Sequence, residues 1–150
     1  MSGTYYSVQP TVPFINATKS VAGAFTFALV SLAATGTANR AEFDVDGMQQ
    51  AVLLVKYHVA TGETNNVLVV KVEFSPDGTN YFQEATEAVA TSTITEYQAT
   101  RQFTGAAAGD YLFRIAIPLA DVKKLRITFT ETGAASVQGA IGALITVSGQ

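Results

Sequence analysis

Apolar side chains recur at every second position through much of this 150-residue chain. In residues 51–59, one set of alternate positions holds only large apolar side chains: Leu53, Val55, Tyr57 and Val59. The same period continues through 67–75, 111–117 and 124–130. Successive side chains of a β-strand point to opposite faces, so this period predicts strands with one face in a core and the other toward solvent.

About eight segments of this kind, separated by turn-rich stretches, predict an all-β fold. The others are 24–29, 42–46, 92–103 and 136–147, and at most one helical turn is expected, at 119–122. A strand with a single apolar face must bury that face against another sheet. We therefore expect a two-sheet antiparallel β-sandwich, in the form of a jelly roll.

The first 23 residues differ from the rest, being rich in Gly, Ser, Thr and Pro. We predict an extended N-terminal arm at 1–23 and a sandwich domain at 24–150. The arm is either an edge strand with a loop on its own domain or a tail that docks on a neighbour. In the second case Tyr5, Tyr6 and Phe14 are the expected partner-binding residues, because each is an isolated aromatic anchor.

Composition excludes several classes of partner. Only 14% of the residues are charged, the net charge is −3 and the basic residues are scattered, so nucleic acid is not an expected partner. Residues 20–39 carry no charge, but their Gly, Ser and Thr favour a strand over a membrane span. The chain has no cysteine, and residues 1–10 lack the features of a secretory signal.

The sequence offers no expected catalytic residue and no cofactor site. His58 is the only histidine, and the alternation places it on the solvent face beside Lys56, with no acidic partner nearby in sequence. A hydrolytic triad needs a base that is held by an acid and faces a nucleophile, and zinc needs several nitrogen or sulfur ligands. We therefore predict that the chain is not an enzyme.

Three acidic residues form the sharpest polar pattern. Glu42, Asp44 and Asp46 stand at alternate positions before Gly47, as in the first half of a calcium loop, but Leu53 occupies the place of the bidentate Glu that such a loop requires. A weak metal site of another kind and the solvent face of a strand both remain open. The only basic cluster is predicted to be solvated and consists of Lys123, Lys124 and Arg126.

Residues 72–82, Val-Glu-Phe-Ser-Pro-Asp-Gly-Thr-Asn-Tyr-Phe, form a strand, an Asp-Gly turn and an aromatic pair. This unit resembles segments of tailed-bacteriophage virion proteins, particularly small capsid decoration or cement proteins with β-sandwich folds. It also resembles discoidin-like jelly rolls, many of which bind sugars, where a later strand reads like Lys-Leu-Arg-Ile at 124–127. The low charge, the absence of cysteine and the first 23 residues favour the virion proteins, and the absence of Trp disfavours a sugar-binding module.

The resemblance implies a virion structural protein on the capsid exterior, made in the host cytoplasm, that binds and stabilises an assembled shell. Its expected partners are the major capsid protein or other virion subunits, and further copies of itself, commonly as a trimer. A neck, tail or fibre component and a carbohydrate-binding module are the alternatives.

Overall fold

The computed structural model describes the backbone of part of the chain, in eleven segments: residues 4–7, 18–19, 25–26, 29–31, 39–62, 66–83, 85–90, 93–98, 100–105, 108–132 and 139–149. Side chains are described at 29 and in 39–62, 68–83, 108–131 and 139–149. The predicted strand at 24–29 falls partly outside these residues.

Every regular element in the described residues is a β-strand. The strands are β1 (Thr4–Ser7), β2 (Thr18–Lys19), β3 (Phe25–Thr26), β4 (Val30–Ser31), β5 (Asn39–Asp44), β6 (Gln50–Val59), β7 (Asn66–Ser75), β8 (Phe82–Gln83), β9 (Ala85–Ala90), β10 (Thr93–Gln98), β11 (Thr100–Gly105), β12 (Gly109–Pro118), β13 (Lys124–Thr132) and β14 (Ala140–Gly149).

Two five-stranded antiparallel sheets carry the fold. Sheet 1 has the order β1-β14-β6-β12, with β4 also paired to β14. Sheet 2 has the order β11-β7-β13-β5, with β8 also paired to β7. Two smaller hairpins, β2-β3 and β9-β10, complete the described pairing. Neighbouring strands of each sheet run antiparallel. The alternation predicts this, because strands with one face exposed to solvent are typical of antiparallel sheets.

The core lies between sheets 1 and 2. In sheet 1 the register aligns Ile145, Leu53 and Ile115 across β14, β6 and β12. In sheet 2 it aligns Val72, Ile127 and Ala41 across β7, β13 and β5. These six side chains belong to one buried cluster. The predicted all-β, two-sheet sandwich is therefore confirmed, whereas its jelly-roll form stays a prediction.

Two local predictions are wrong. Residues 92–103 are not one strand, because β10 pairs with β9 in a separate hairpin and β11 pairs with β7 in sheet 2. Residues 119–122 make no helical turn. The N–H of Val122 donates to the Leu119 carbonyl at 3.1 Å, and Asp121 has a φ of 59°, so the chain reverses in a tight turn between β12 and β13.

No helix in the described part of the chain has the length and apolar character that crossing a membrane requires.

Candidate functional site

The outer face of sheet 1, which points away from the core, is apolar at its centre. Its two central rows across β14, β6 and β12 are Leu144–Leu54–Arg114 and Thr146–Val52–Ala116. Leu144 is buried, and Leu54 and Val52 are half-buried, although all three lie on the face of sheet 1 that points away from the core. Apolar side chains grouped on the outer face of a sheet are typical of a surface that packs against another segment or another protein.

A charged cluster bounds this face at one end. Asp110 of β12 lies opposite His58 of β6, and its carboxylate contacts the Lys56 Nζ at 2.9 Å and the His58 Nδ1 at 2.7 Å. The hydrogen bond from Lys56, and then that from His58, lowers the pKa of Asp110 below its ordinary value. Asp110 therefore stays ionised and holds both neighbours in place.

His58 lies on the solvent side beside Lys56, as the alternation predicts, but it has an acidic partner that sequence reasoning missed. Asp110 is 52 residues away, and only the pairing of β6 with β12 brings the two together. The register places Ala140 on the other side of His58. His58 therefore has Asp110 on one side and Ala140 on the other. A catalytic triad would need a nucleophile such as Ser in place of Ala140.

The first half of β12 is exposed on its outer face and half-buried on its inner face. On the outer face, Leu112 is 70% exposed and is the most exposed of the large apolar residues in the described part of the chain. On the inner face, Tyr111 and Phe113 are half-buried at the margin of the core, whereas Ile115 and Ile117 further along are buried. This end of sheet 1 therefore combines an exposed apolar residue with a strand edge.

The three acidic residues of the weak metal candidate lie on the outer face of sheet 2 and in the following loop. Glu42, Asp44 and Asp46 are exposed, while the intervening Phe43 and Val45 are 2% and 1% exposed. Among the described residues, no three His, Asp or Glu side chains are arranged to hold a metal ion. The metal site at Glu42, Asp44 and Asp46 therefore stays a prediction.

Arg126 occupies the centre of the outer face of sheet 2. It donates two hydrogen bonds to Glu73, at 2.7 and 2.8 Å, and its guanidinium lies 3.8 Å from the centre of the Tyr81 ring. The hydrogen bond from Arg126 is the main cause that lowers the pKa of Glu73, and the bond from Glu73 raises that of Arg126. The pair fixes β13 to β7 with bidentate geometry.

The cluster of Glu73, Arg126 and Tyr81 corrects two predictions of solvent exposure. The alternation places Glu73 on the solvent face, yet Glu73 is only 5% exposed and its carboxylate is held by Arg126, which in turn stacks on Tyr81. The predicted solvated cluster of Lys123, Lys124 and Arg126 is likewise wrong for Arg126, whose side chain is 18% exposed. Lys71 adds a contact of 3.1 Å to Glu73.

A second carboxylate is buried inside the sandwich. Glu131 follows Phe129 at the inward positions of β13 and is 1% exposed. The Tyr57 hydroxyl donates to it at 2.5 Å, and the Gly139 N–H donates to it at 2.9 Å. Sequence reasoning missed this group, although an acidic residue at the inward position of an otherwise apolar strand is a recognisable signal. The arrangement joins sheet 2 to sheet 1 at one end of the core.

The predicted partner-binding aromatic residues are described only in part. Tyr5 and Tyr6 belong to β1, where they lie opposite Ser148 and Val147 of β14. Phe14 lies outside the described residues. That these three residues contact a partner, and that residues 1–23 form an arm, stay predictions.

Comparison with known proteins yields little. No protein-family model and no curated protein matches the chain. One similar solved structure is the enzymatically active domain of tailspike protein 4 from bacteriophage CBA120, at 13% identity and a TM-score of 0.46. The match covers 97% of this chain but 19% of that one, so the chain spans about a fifth of its neighbour's length.

The description of that neighbour contradicts the prediction that this chain is not an enzyme. It does not test the prediction of capsid decoration. The matched domain is called enzymatically active, so the prediction that this chain is not an enzyme is wrong as it stands and is withdrawn. The activity is the neighbour's, and none is assigned to the present chain. The neighbour is a bacteriophage protein. That the present chain is a capsid decoration protein stays a prediction.

Proposed function

We propose that this chain is a component of a bacteriophage virion that binds an assembled shell from the outside, in the manner of a capsid decoration or cement protein. Its partner is then the major capsid protein or another virion subunit. A protein that binds only the closed shell stabilises that state by mass action, because opening the shell requires its release.

The observation that supports this role is the apolar outer face of sheet 1. A sandwich needs one apolar face on each sheet to form its core, and sheet 1 has apolar side chains on both. Val52 and Leu54 are half-buried on the outer side without belonging to the core cluster. Burial of apolar side chains against another protein is favourable, so an apolar outer face supports an interaction site.

The short strand β1 lies beside β14 at the margin of this face. β1 pairs with β14, and Tyr5 lies opposite Ser148, which is in the row next to Thr146 and Val52. We assign Tyr5, Tyr6 and Phe14 to contacts with the shell, since Tyr and Phe combine a large contact area with few rotatable bonds.

The test uses particles that lack this protein. Purified shells are mixed with the full chain, and the bound fraction is measured by co-sedimentation together with the temperature at which the shells open. We expect binding and a higher opening temperature. Val52→Glu should abolish both, because it places a charge at the centre of the apolar face. The matched control is Thr130→Glu, which adds the same charge to the outer face of sheet 2.

Two results would contradict the proposal. Equal binding by the Val52→Glu variant and the wild type would exclude the outer face of sheet 1 as the docking surface. Binding at the neck, tail or fibre in imaged particles, with none on the head, would exclude capsid decoration. Glycan binding that is lost on replacing Phe82, which is 58% exposed beside the Asp-Gly turn, would instead favour the sugar-binding alternative.

A further inference from the structure

β12 is the last strand of sheet 1 in the described residues. Its ten residues pair with β6 on one side, and no described strand pairs with its other side. A long edge strand presents a row of backbone donors and acceptors to which another strand can add. Native proteins cover such edges or guard them with charges, so the side chains along β12 indicate which of these applies.

The outer side chains in the first half of β12 are exposed. Leu112 is 70% exposed although β6 lies beside it, and Asp110 and Arg114 on either side of it are exposed as well. The inward residues of the same half are less buried than those of β6, where Tyr57 and Val55 are 0% and 1% exposed. An apolar residue this exposed at a strand edge is a site for association.

The sequence of this half-strand is complementary to itself. Two antiparallel copies of β12 with Leu112 at the centre place Asp110 of each copy opposite Arg114 of the other. Opposite residues share a face, so the outer row reads Asp–Arg, Leu–Leu and Arg–Asp. On the inner face, Tyr111 then lies opposite Phe113 of the second copy, and opposed aromatic or oppositely charged pairs stabilise an antiparallel ladder.

We propose that two copies of this chain associate through the free edges of β12, across a two-fold axis at Leu112. Sheet 1 of one copy continues into sheet 1 of the other, which pairs the backbone groups at both edges. The outer faces of the two copies lie on the same side of the joined sheet. The contact does not depend on the virion role.

Neighbouring registers lack this complementarity. Centred on Tyr111, the pairing places Asp110 opposite Leu112, and centred on Phe113 it places Asp110 opposite Ala116. Both leave the charged side chains facing apolar ones. The carboxylate of Asp110 also retains acceptor capacity for an Arg of the second copy, because Lys56 and His58 each use one position on its two oxygens.

The pairing makes a prediction about symmetry. A two-fold contact gives dimers or other even-numbered assemblies, whereas the virion resemblance implies trimers. Sedimentation velocity of the full chain between roughly 1 and 100 μM separates the two outcomes by mass. We expect a reversible dimer. A monomer throughout this range, or a trimer, would overturn the proposal.

Charge-swap variants locate the contact. Arg114→Asp opposes like charges at both symmetric positions and should weaken dimerisation by at least about tenfold. Asp110→Arg should do the same. A mixture of the two variants should dimerise where neither does alone, because the mixed pair has opposite charges at both positions. Failure of the mixture to associate, with both variants folded, would overturn the proposal.

Two further variants serve as controls. Lys123→Asp makes the same change of charge at an exposed residue outside β12 and should leave the dimer intact. Because Asp110 also binds Lys56 and His58, its replacement can disturb folding, so Leu112→Glu provides an independent test that opposes two carboxylates at the axis. Far-ultraviolet dichroism verifies folding, and a dimer that persists in Leu112→Glu would exclude this edge.

Discussion

At Gly139 the absence of a side chain allows the two sheets to approach closely. A Cβ atom there would lie 2.5 Å from the His58 carbonyl oxygen, 2.8 Å from Glu131 Oε1 and 2.9 Å from Tyr57 Cε2. None of these atoms can move freely, since one is backbone and the other two belong to the buried hydrogen bond between Tyr57 and Glu131. Small residues in this strand predict such an approach from sequence alone.

Gly139→Ala should therefore lower the free energy of unfolding by about 1–3 kcal/mol, the usual cost of overpacking. Chemical denaturation in urea measures the change. Gly62→Ala is the control, because its Cβ would meet nothing within 4 Å but its φ is +89°. It should cost about 1 kcal/mol through backbone strain alone. An unchanged urea midpoint for Gly139→Ala would contradict the close approach.

The ion pair between Glu73 and Arg126 makes stability depend on pH. Arg126 lowers the pKa of Glu73 below its ordinary value of 4.5, so the folded state binds the proton less readily than the unfolded state. The contribution of this carboxylate is thus fully present above the unfolded pKa and is lost as pH falls through the folded pKa. The relevant window begins near pH 4.5 and extends to lower pH.

Glu73→Gln should remove part of this dependence. We expect the variant to be less stable than the wild type at neutral pH and to lose less stability on acidification, because no proton binds at that position. Urea midpoints measured at several pH values between neutrality and the acid transition test this. A variant whose midpoint falls with pH as steeply as that of the wild type would show that Glu73 does not contribute.

At the scale of elements, the turn after β7 is held by one carboxylate. Asp77 Oδ1 accepts the N–H groups of Thr79 and Asn80 at 2.8 and 2.7 Å, and the Ser75 hydroxyl at 3.1 Å. These bonds lower the pKa of Asp77, most strongly the one from Asn80. Gly78 takes a φ of +82°, as the Asp-Gly sequence predicts for a turn.

Asp77→Ala should lower the urea midpoint and speed amide exchange at Thr79 and Asn80, because both N–H groups lose their acceptor. Thr79→Ala is a matched control, since Thr79 contributes its backbone N–H to this turn and the substitution leaves that group in place. Equal exchange rates in the Asp77→Ala variant and the wild type would mean that the backbone, rather than the carboxylate, maintains the turn.

For the whole molecule, the members of the buried core cluster all come from the sequence between Ala41 and Val147. A chain that lacks residues 1–23 loses β1 and β2 but keeps each member of that cluster. We expect it to unfold cooperatively in urea while losing shell binding, because the remaining strands of both sheets still bury their apolar faces. Loss of the cooperative transition would show that the first 23 residues are part of the folding unit.

The sequence by itself determined which faces of most strands are buried. Alternation placed Leu53, Val55 and Tyr57 in the core, and the Asp-Gly turn after β7 followed from residue types alone. These are local properties, since the direction of a side chain depends on its own backbone. The two-sheet architecture followed because apolar strand faces must be covered.

Only the tertiary structure decided which strands are neighbours. The strand order in turn decided which polar side chains meet. Asp110 meets His58, Arg126 meets Glu73, and Glu131 meets Tyr57 across 52, 53 and 74 residues of sequence. The tertiary structure also decided that β12 is the last strand of sheet 1 among the described residues and that Leu112 is exposed. Strand order depends on the balance of many long-range pairings, and a two-residue period is the same for every order, so the period cannot select among them.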